Sequence, residues 1–187
     1  HCEEQLSMLE KTRLSQPVDV HLKMNTGMNR LGFSPKEYKK AYERLKAIPS
    51  VRSISFMTHF ANAEVPSHPK VAIDEQLAKF DEATAGLKGE RNLSNSAAIL
   101  LRPDIRTDWV RPGIMLYGAS PGGKTAAEYG LKPAMTLASE IIQLQKVPKG
   151  ESVGYGSLYT ADRDMTVGIV ACGSADGYPR TAKNGPP

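Results

Sequence analysis

Cysteine is scarce in this sequence: Cys2 and Cys172 stand near opposite ends of 187 residues. Two isolated thiols make neither a metal-ligand pattern nor a disulfide framework. That fits a reducing compartment, so a cytoplasmic protein is expected. No apolar run approaches the ~18 residues that a membrane-spanning helix needs, so no membrane partner is expected. The opening residues lack the basic, then apolar, then small-residue order of an export signal, so none is expected. Internal repeats and low-complexity tracts are absent as well. The excess of one charge is small: 24 Lys and Arg against 20 Asp and Glu give +4, with a pI near 9.0. A nucleic-acid binder would gather its cations on one face. Here they are scattered, and the grouping Lys39, Lys40, Arg44 and Lys46 reads as the solvated face of a helix.

What is present is globular. Apolar residues make up 40% and charged residues 24%, which excludes disorder and collagen. At roughly 100–200 residues per domain the length allows one domain, or one large piece plus part of another. The chain starts on His1 and ends on Gly185-Pro186-Pro187, where a turn would lead onward. A fragment is therefore expected.

Short apolar runs alternate with helical patterns over the first two-thirds. Strands are predicted over 18–24, 51–60, 91–94 and 109–117. Helices are predicted over 35–47, with Ser34 as cap, and over 73–87. This rhythm argues for βαβ units and a parallel sheet, whose site candidates follow the strand C-terminal ends. Beyond about residue 120 the pattern changes. Strand-like segments over 135–147, 152–155 and 165–172 follow one another without helices, as at the opening of a separate β domain.

Six clusters carry possible chemistry. Gly118-Ala119-Ser120-Pro121-Gly122-Gly123-Lys124-Thr125 fits the phosphate-loop pattern. That chemistry needs a helix beginning at the lysine, but Gly130 and Pro133 leave under two turns, so an inter-domain loop is expected. In Lys23–Gly32 a strand enters a glycine-bearing turn with Lys23 and Arg30. Both could be surface cations, but Lys23 lies in an apolar alternation, and a buried lysine tends to lose its proton and become open to modification. His59 closes the second strand and is either structural or functional. Asn92–Ala98 runs from strand to alanine-rich helix, offering either an anion site or a plain cap at Asn95 or Ser96. Arg111, in Trp109-Val110-Arg111-Pro112-Gly113-Ile114, needs a partner if buried: a phosphate, a ring nitrogen or a structural carboxylate. Glycines flank Tyr155, so its phenol could project into a cleft or be a hairpin aromatic.

Taken together, HLKMNTGMNRLGF, MTHFANAE, LSNSAA, DWVRPGIMLYGASP, MTLASEII, VGYGSLYTA and ADGYPR, in this order, resemble the bacterial alanine racemases. The sub-type they resemble is the enterobacterial one of the catabolic branch. The resemblance implies an α/β fold: a partial (β/α)8 barrel over residues 1–130, then the beginning of a β-strand domain over 131–187. It implies pyridoxal 5′-phosphate as cofactor, alanine as substrate, a role in cell-wall supply or alanine catabolism, and a homodimer with shared active sites.

Residue roles follow from the same resemblance. Arg111 would face the pyridine nitrogen, and an arginine does not give up its proton to it. Ser96, Gly113 and Ile114 would hold the phosphate. Arg30 would lie near the phenolic oxygen and the substrate carboxylate, and Lys23 would be the carboxylated lysine that holds Arg30. Tyr155, from the partner subunit, would be one of two bases acting on opposite faces of the substrate. A phenol of pKa about 10 is a poor base at neutral pH, and His59 with Arg111 would make it effective. Arg180 would lie on the substrate corridor.

Two departures stand out. No stretch matches the family's Schiff-base lysine motif, so that role goes to no lysine present, and the fragment alone is expected to be inactive. Ser174 replaces a corridor tyrosine, which predicts a wider entrance. The rival expectations are a catalytically inactive cofactor-binding or interaction module and, more remotely, a nucleotide binder.

Overall fold

The computed structural model describes residues 1–65 and 67–179. The chain divides into two compact units, His1–Met135 and Thr136–Pro187.

In the first unit a helix, α1 (Glu3–Lys11), precedes β1 (Val18–Lys23), α2 (Pro35–Lys46), β2 (Val51–Met57), α3 (Ile73–Thr84), β3 (Arg91–Asn95), α4 (Ser96–Leu101) and β4 (Trp109–Arg111). The four strands are parallel and pair in chain order. Adding each strand to the same edge is how a (β/α)8 barrel is laid down, and this sheet is part of one. One face of the sheet packs on the helices. Leu22, Phe56 and Leu93 from the strands meet Tyr38, Leu45 and Phe80 from α2 and α3 in a continuous core. The Tyr38 phenol would be an unpaired polar group in that core, and it donates to the Leu22 carbonyl at 2.8 Å. Ser34 precedes Pro35 as expected, and its N–H and hydroxyl both donate to the Glu37 carboxylate.

Several expected boundaries move. The strand foreseen over 109–117 ends at Arg111, because Pro112 has no N–H for a ladder bond. Ile114–Tyr117 instead form a 3-10 turn closed by Gly118. β2 stops at Met57 and α3 at Thr84, where the threonine hydroxyl donates back to the Phe80 carbonyl. The phosphate-loop match leads only into a 3-10 turn, Ala127–Tyr129, closed by Gly130, so no α-helix begins at Lys124.

The second unit is antiparallel. β5 (Ile141–Val147) pairs with β8 (Met165–Val170), and β6 (Ser152–Val153) with β7 (Tyr159–Thr160). The strand foreseen from 135 starts only at Ile141, where pairing with Val170 begins. The one foreseen to Tyr155 ends at Val153, because Gly154 turns to φ 78. The one foreseen to Cys172 ends at Val170.

Candidate functional site

In a parallel sheet the strands' C-terminal ends share one rim. Lys23 closes β1, Thr58 and His59 follow β2, Asn95 and Ser96 join β3 to α4, and Arg111 closes β4 ahead of Gly113. His59, Ser96, Arg111, Gly113 and Ile114 line one cavity of about 360 Å3, together with Glu64 and Ser120. A larger cavity of about 510 Å3 lies near the start of β2, at Arg52, Lys88 and Glu90, and holds none of these groups.

Arg111 is the hub. Its guanidinium is half-buried and donates to the Asn92 carbonyl (2.7 Å), the Asn92 side-chain oxygen, the Thr58 carbonyl (2.6 Å) and, more weakly, the Leu93 carbonyl (3.4 Å). Its Nη2 also lies 3.5 Å from His59 Nδ1. A guanidinium has no acceptor, so Nδ1 must accept and the imidazole proton sits on Nε2. Every one of these partners is formally neutral. Among the described residues the ion pairs involve other arginines: Arg44, Arg52, Arg91, Arg102 and Arg163. The structural carboxylate, one of the three partners left open for Arg111, is therefore not found among the described residues.

Cations predominate around His59, with the Glu64 carboxylate on the same cavity. Burial, and then the Arg111, Lys23 and Arg30 cations, holds the His59 imidazole below its ordinary value. Burial, and then Arg30 and Arg111, likewise lowers the Lys23 ammonium. Arg30 itself is exposed, on a turn pinned by Asn25, whose side-chain oxygen accepts from Gly27 N (3.2 Å) and Asn29 N (3.0 Å). The turn closes at Gly32, where φ is 119° and a Cβ would lie 2.7 Å from the Asn25 nitrogen. Only glycine fits there. The result is a rim that favours an anionic ligand.

The donors for an anion are also present. Ser96 Oγ accepts from Gly113 N at 2.8 Å and Met115 N at 3.4 Å. Its own proton is given to no other group among the described residues. A Cβ on Gly113 would find nothing nearer than Ser96 Oγ at 3.9 Å, so it would project into open space beside that hydroxyl. A phosphate fits this corner, and with both Nη groups engaged the Arg111 Nε–H is the donor left for a ring nitrogen. Of the two possible caps of α4, Asn95 is the one used, its Oδ1 accepting from Ala98 N at 3.0 Å.

Tyr155 belongs to the second unit. It opens a 3-10 turn between Gly154 and Gly156, both at positive φ, and its ring is fully exposed. Ser174 opens another 3-10 turn, Ser174–Asp176. Arg180 lies outside the described residues. The structure thus gathers Lys23, Arg30, His59, Ser96, Arg111, Gly113 and Ile114 within the first unit, and no such gathering includes Tyr155 inside the second.

Comparison with known proteins decides the family. Residues 1–121 match the model for the alanine racemase N-terminal domain and residues 134–187 the model for the alanine racemase C-terminal domain. This chain belongs to the alanine racemase family. It is 59% identical, over all 187 residues, to an alanine racemase from Janthinobacterium sp. (strain Marseille), of which it covers 52%. The biosynthetic alanine racemase of Pseudomonas aeruginosa is similar at 44% identity and TM-score 0.84, with 97% of this chain and 51% of that one covered. The Bacillus anthracis alanine racemase solved with bound L-Ala-P is similar at 27% identity and TM-score 0.72, over 94% and 46% of the two chains. The chain therefore spans about half the length of the family members it matches.

Two contributors at the rim escaped the sequence reading. Asn92 grips Arg111 through backbone and side chain, and Thr58 offers its carbonyl. An asparagine 19 residues before an arginine carries no local signal; only the β3–β4 pairing brings them together.

Proposed function

We propose that this chain forms about half of a pyridoxal 5′-phosphate-dependent alanine racemase that interconverts L- and D-alanine in the cytoplasm as a homodimer. D-alanine for the cell wall, or alanine breakdown, is the role this serves. The observation that carries the proposal is Arg111: a half-buried cation held only by neutral groups and touching His59, beside the Ser96–Gly113 donors. When bound, the cofactor supplies the electron withdrawal that makes an amino acid's α-hydrogen acidic.

The chain's own residues do the rest. Ser96 Oγ–H and the Ile114 N–H would hold the phosphate, joined by the Gly113 N–H on its release from Ser96 Oγ. Arg111 would donate to the pyridine nitrogen and, being unable to release a proton, would leave that nitrogen unprotonated. Arg30 would hold the substrate carboxylate and the cofactor's phenolic oxygen. Lys23, with its ammonium destabilised, offers a neutral amine that would add carbon dioxide at Nζ and release one N–H proton to water, and the carbamate anion so formed would hold Arg30. His59, protonated on Nε2, donates to the phenolic oxygen of the partner subunit's Tyr155 and stabilises it as an anion. That oxygen takes the α-proton of L-alanine, while a lysine outside this chain acts on the other face. Arg180 and Ser174 shape the approach, and Ser174 widens it.

The test is direct. The complete gene product carrying this chain, supplied with pyridoxal phosphate, should convert optically pure L-alanine to a mixture of isomers. Cofactor binding, read by absorbance, with L-alanine left optically pure would instead identify an inactive cofactor-binding module.

A further inference from the structure

The inner face of the sheet carries a second layer of polar side chains beneath the rim. Asn92 Oδ1 faces the Arg111 guanidinium, so its Nδ2 must face the other way. There it lies 3.2 Å from His21 Nδ1. His21 comes from β1, two residues before Lys23 and on the same face. Its ring stands edge-on to Trp109 at 5.7 Å and 88°, and Trp109 Nε1 is anchored on Glu90 Oε2. Asn92 is buried. Strands β1, β3 and β4 therefore combine to present an oxygen, and no charge, to the guanidinium.

We propose that Asn92, oriented by His21, is a positioning residue that aims Arg111 while leaving its positive charge uncompensated. The proposal rests on the racemase reading only for the use made of Arg111. Aspartate has nearly the same shape and would offer the same acceptor. A carboxylate there would form a buried ion pair with Arg111 and cancel the field that Arg111 casts on His59. The charged groups facing His59 are Arg111 from β4 and Lys23 and Arg30 from β1 and its turn, with Glu64 on the same cavity. An amide at position 92 thus keeps the imidazole neutral and its Nε2 proton available to donate.

Selective isotope labelling of histidine and arginine in the complete gene product tests this without reference to turnover. In Asn92→Asp the NMR titration midpoint of His59 should rise by about one pH unit. In Asn92→Ala the Arg111 guanidinium protons should exchange with water at least about tenfold faster, while those of Arg102, held by Asp74 and Asp104, stay unchanged. His21→Leu should speed Arg111 exchange in the same direction. An unmoved His59 midpoint in Asn92→Asp overturns the proposal. If that variant does not fold, unchanged Arg111 exchange in Asn92→Ala overturns it equally. A parent protein that fails to racemise alanine but shows these shifts would sink the racemase reading alone.

Discussion

At the scale of single residues, Arg111 is held by its fork. Two Nη groups reach carbonyls on β3 and after β2 while touching His59. A lysine is a point donor and cannot span these acceptors. Arg111→Lys should therefore lower kcat/KM by about 10²-fold in steady-state assays of the complete protein. His59 gives a pH prediction of definite sign. Its folded-state value lies below the ordinary imidazole value of about 6.5, so the unfolded chain binds that proton more readily. Stability should fall as pH drops through about 6.5 and level off once the folded imidazole protonates. Denaturant melts at pH 5.5 and 7.5 should show this, and His59→Gln should reduce the difference. At Lys23, a carbamate signal from 13C-bicarbonate should appear in the native protein and vanish in Lys23→Arg. The sequence placed candidates at the strands' C-terminal ends, and Lys23, His59, Ser96 and Arg111 do lie at that rim, whereas their roles rest on the family resemblance. Asn92 was not, because its part depends on pairing between strands.

At the scale of elements, two local devices set the rim. The turn after β1 needs Gly32, so Gly32→Ala should cost about 1–3 kcal/mol in chemical denaturation and displace Arg30. Asn95 caps α4 next to Ser96, and Asn95→Ala should cost about 1 kcal/mol. The strands and the two long helices were readable from their periods. The misses have separate causes. Helix α1 buries only Leu6 and draws support from Arg44, which reaches Glu3 and Glu10 from α2. A helix held by distant ion pairs leaves little apolar periodicity to read. The segment after Arg111 reads as a strand by composition, and Pro112 and Gly113 redirect it.

At the scale of the molecule, the four-stranded sheet ends on β1 and β4, whose outer edges pair with no further strand among the described residues. Trp109 and Val110 on β4, and Leu137, Ile142, Leu144 and Leu158 in the second unit, are all strongly exposed. Open edges and apolar surface of this kind favour association. The chain expressed by itself should bind hydrophobic dyes and melt over a broad range, whereas the complete gene product should melt sharply. A sharp melt of the isolated chain would count against this. Under the proposed function, the exposed phenol of Tyr155 is a group offered to a second copy. The decisive measurement is deuterium exchange at the α-carbon of each alanine isomer, in D2O, by the complete protein carrying Tyr155→Phe. The account predicts that D-alanine gains deuterium without inverting, through the lysine on the other face, while L-alanine neither exchanges nor inverts. Undiminished exchange and inversion of L-alanine would contradict it.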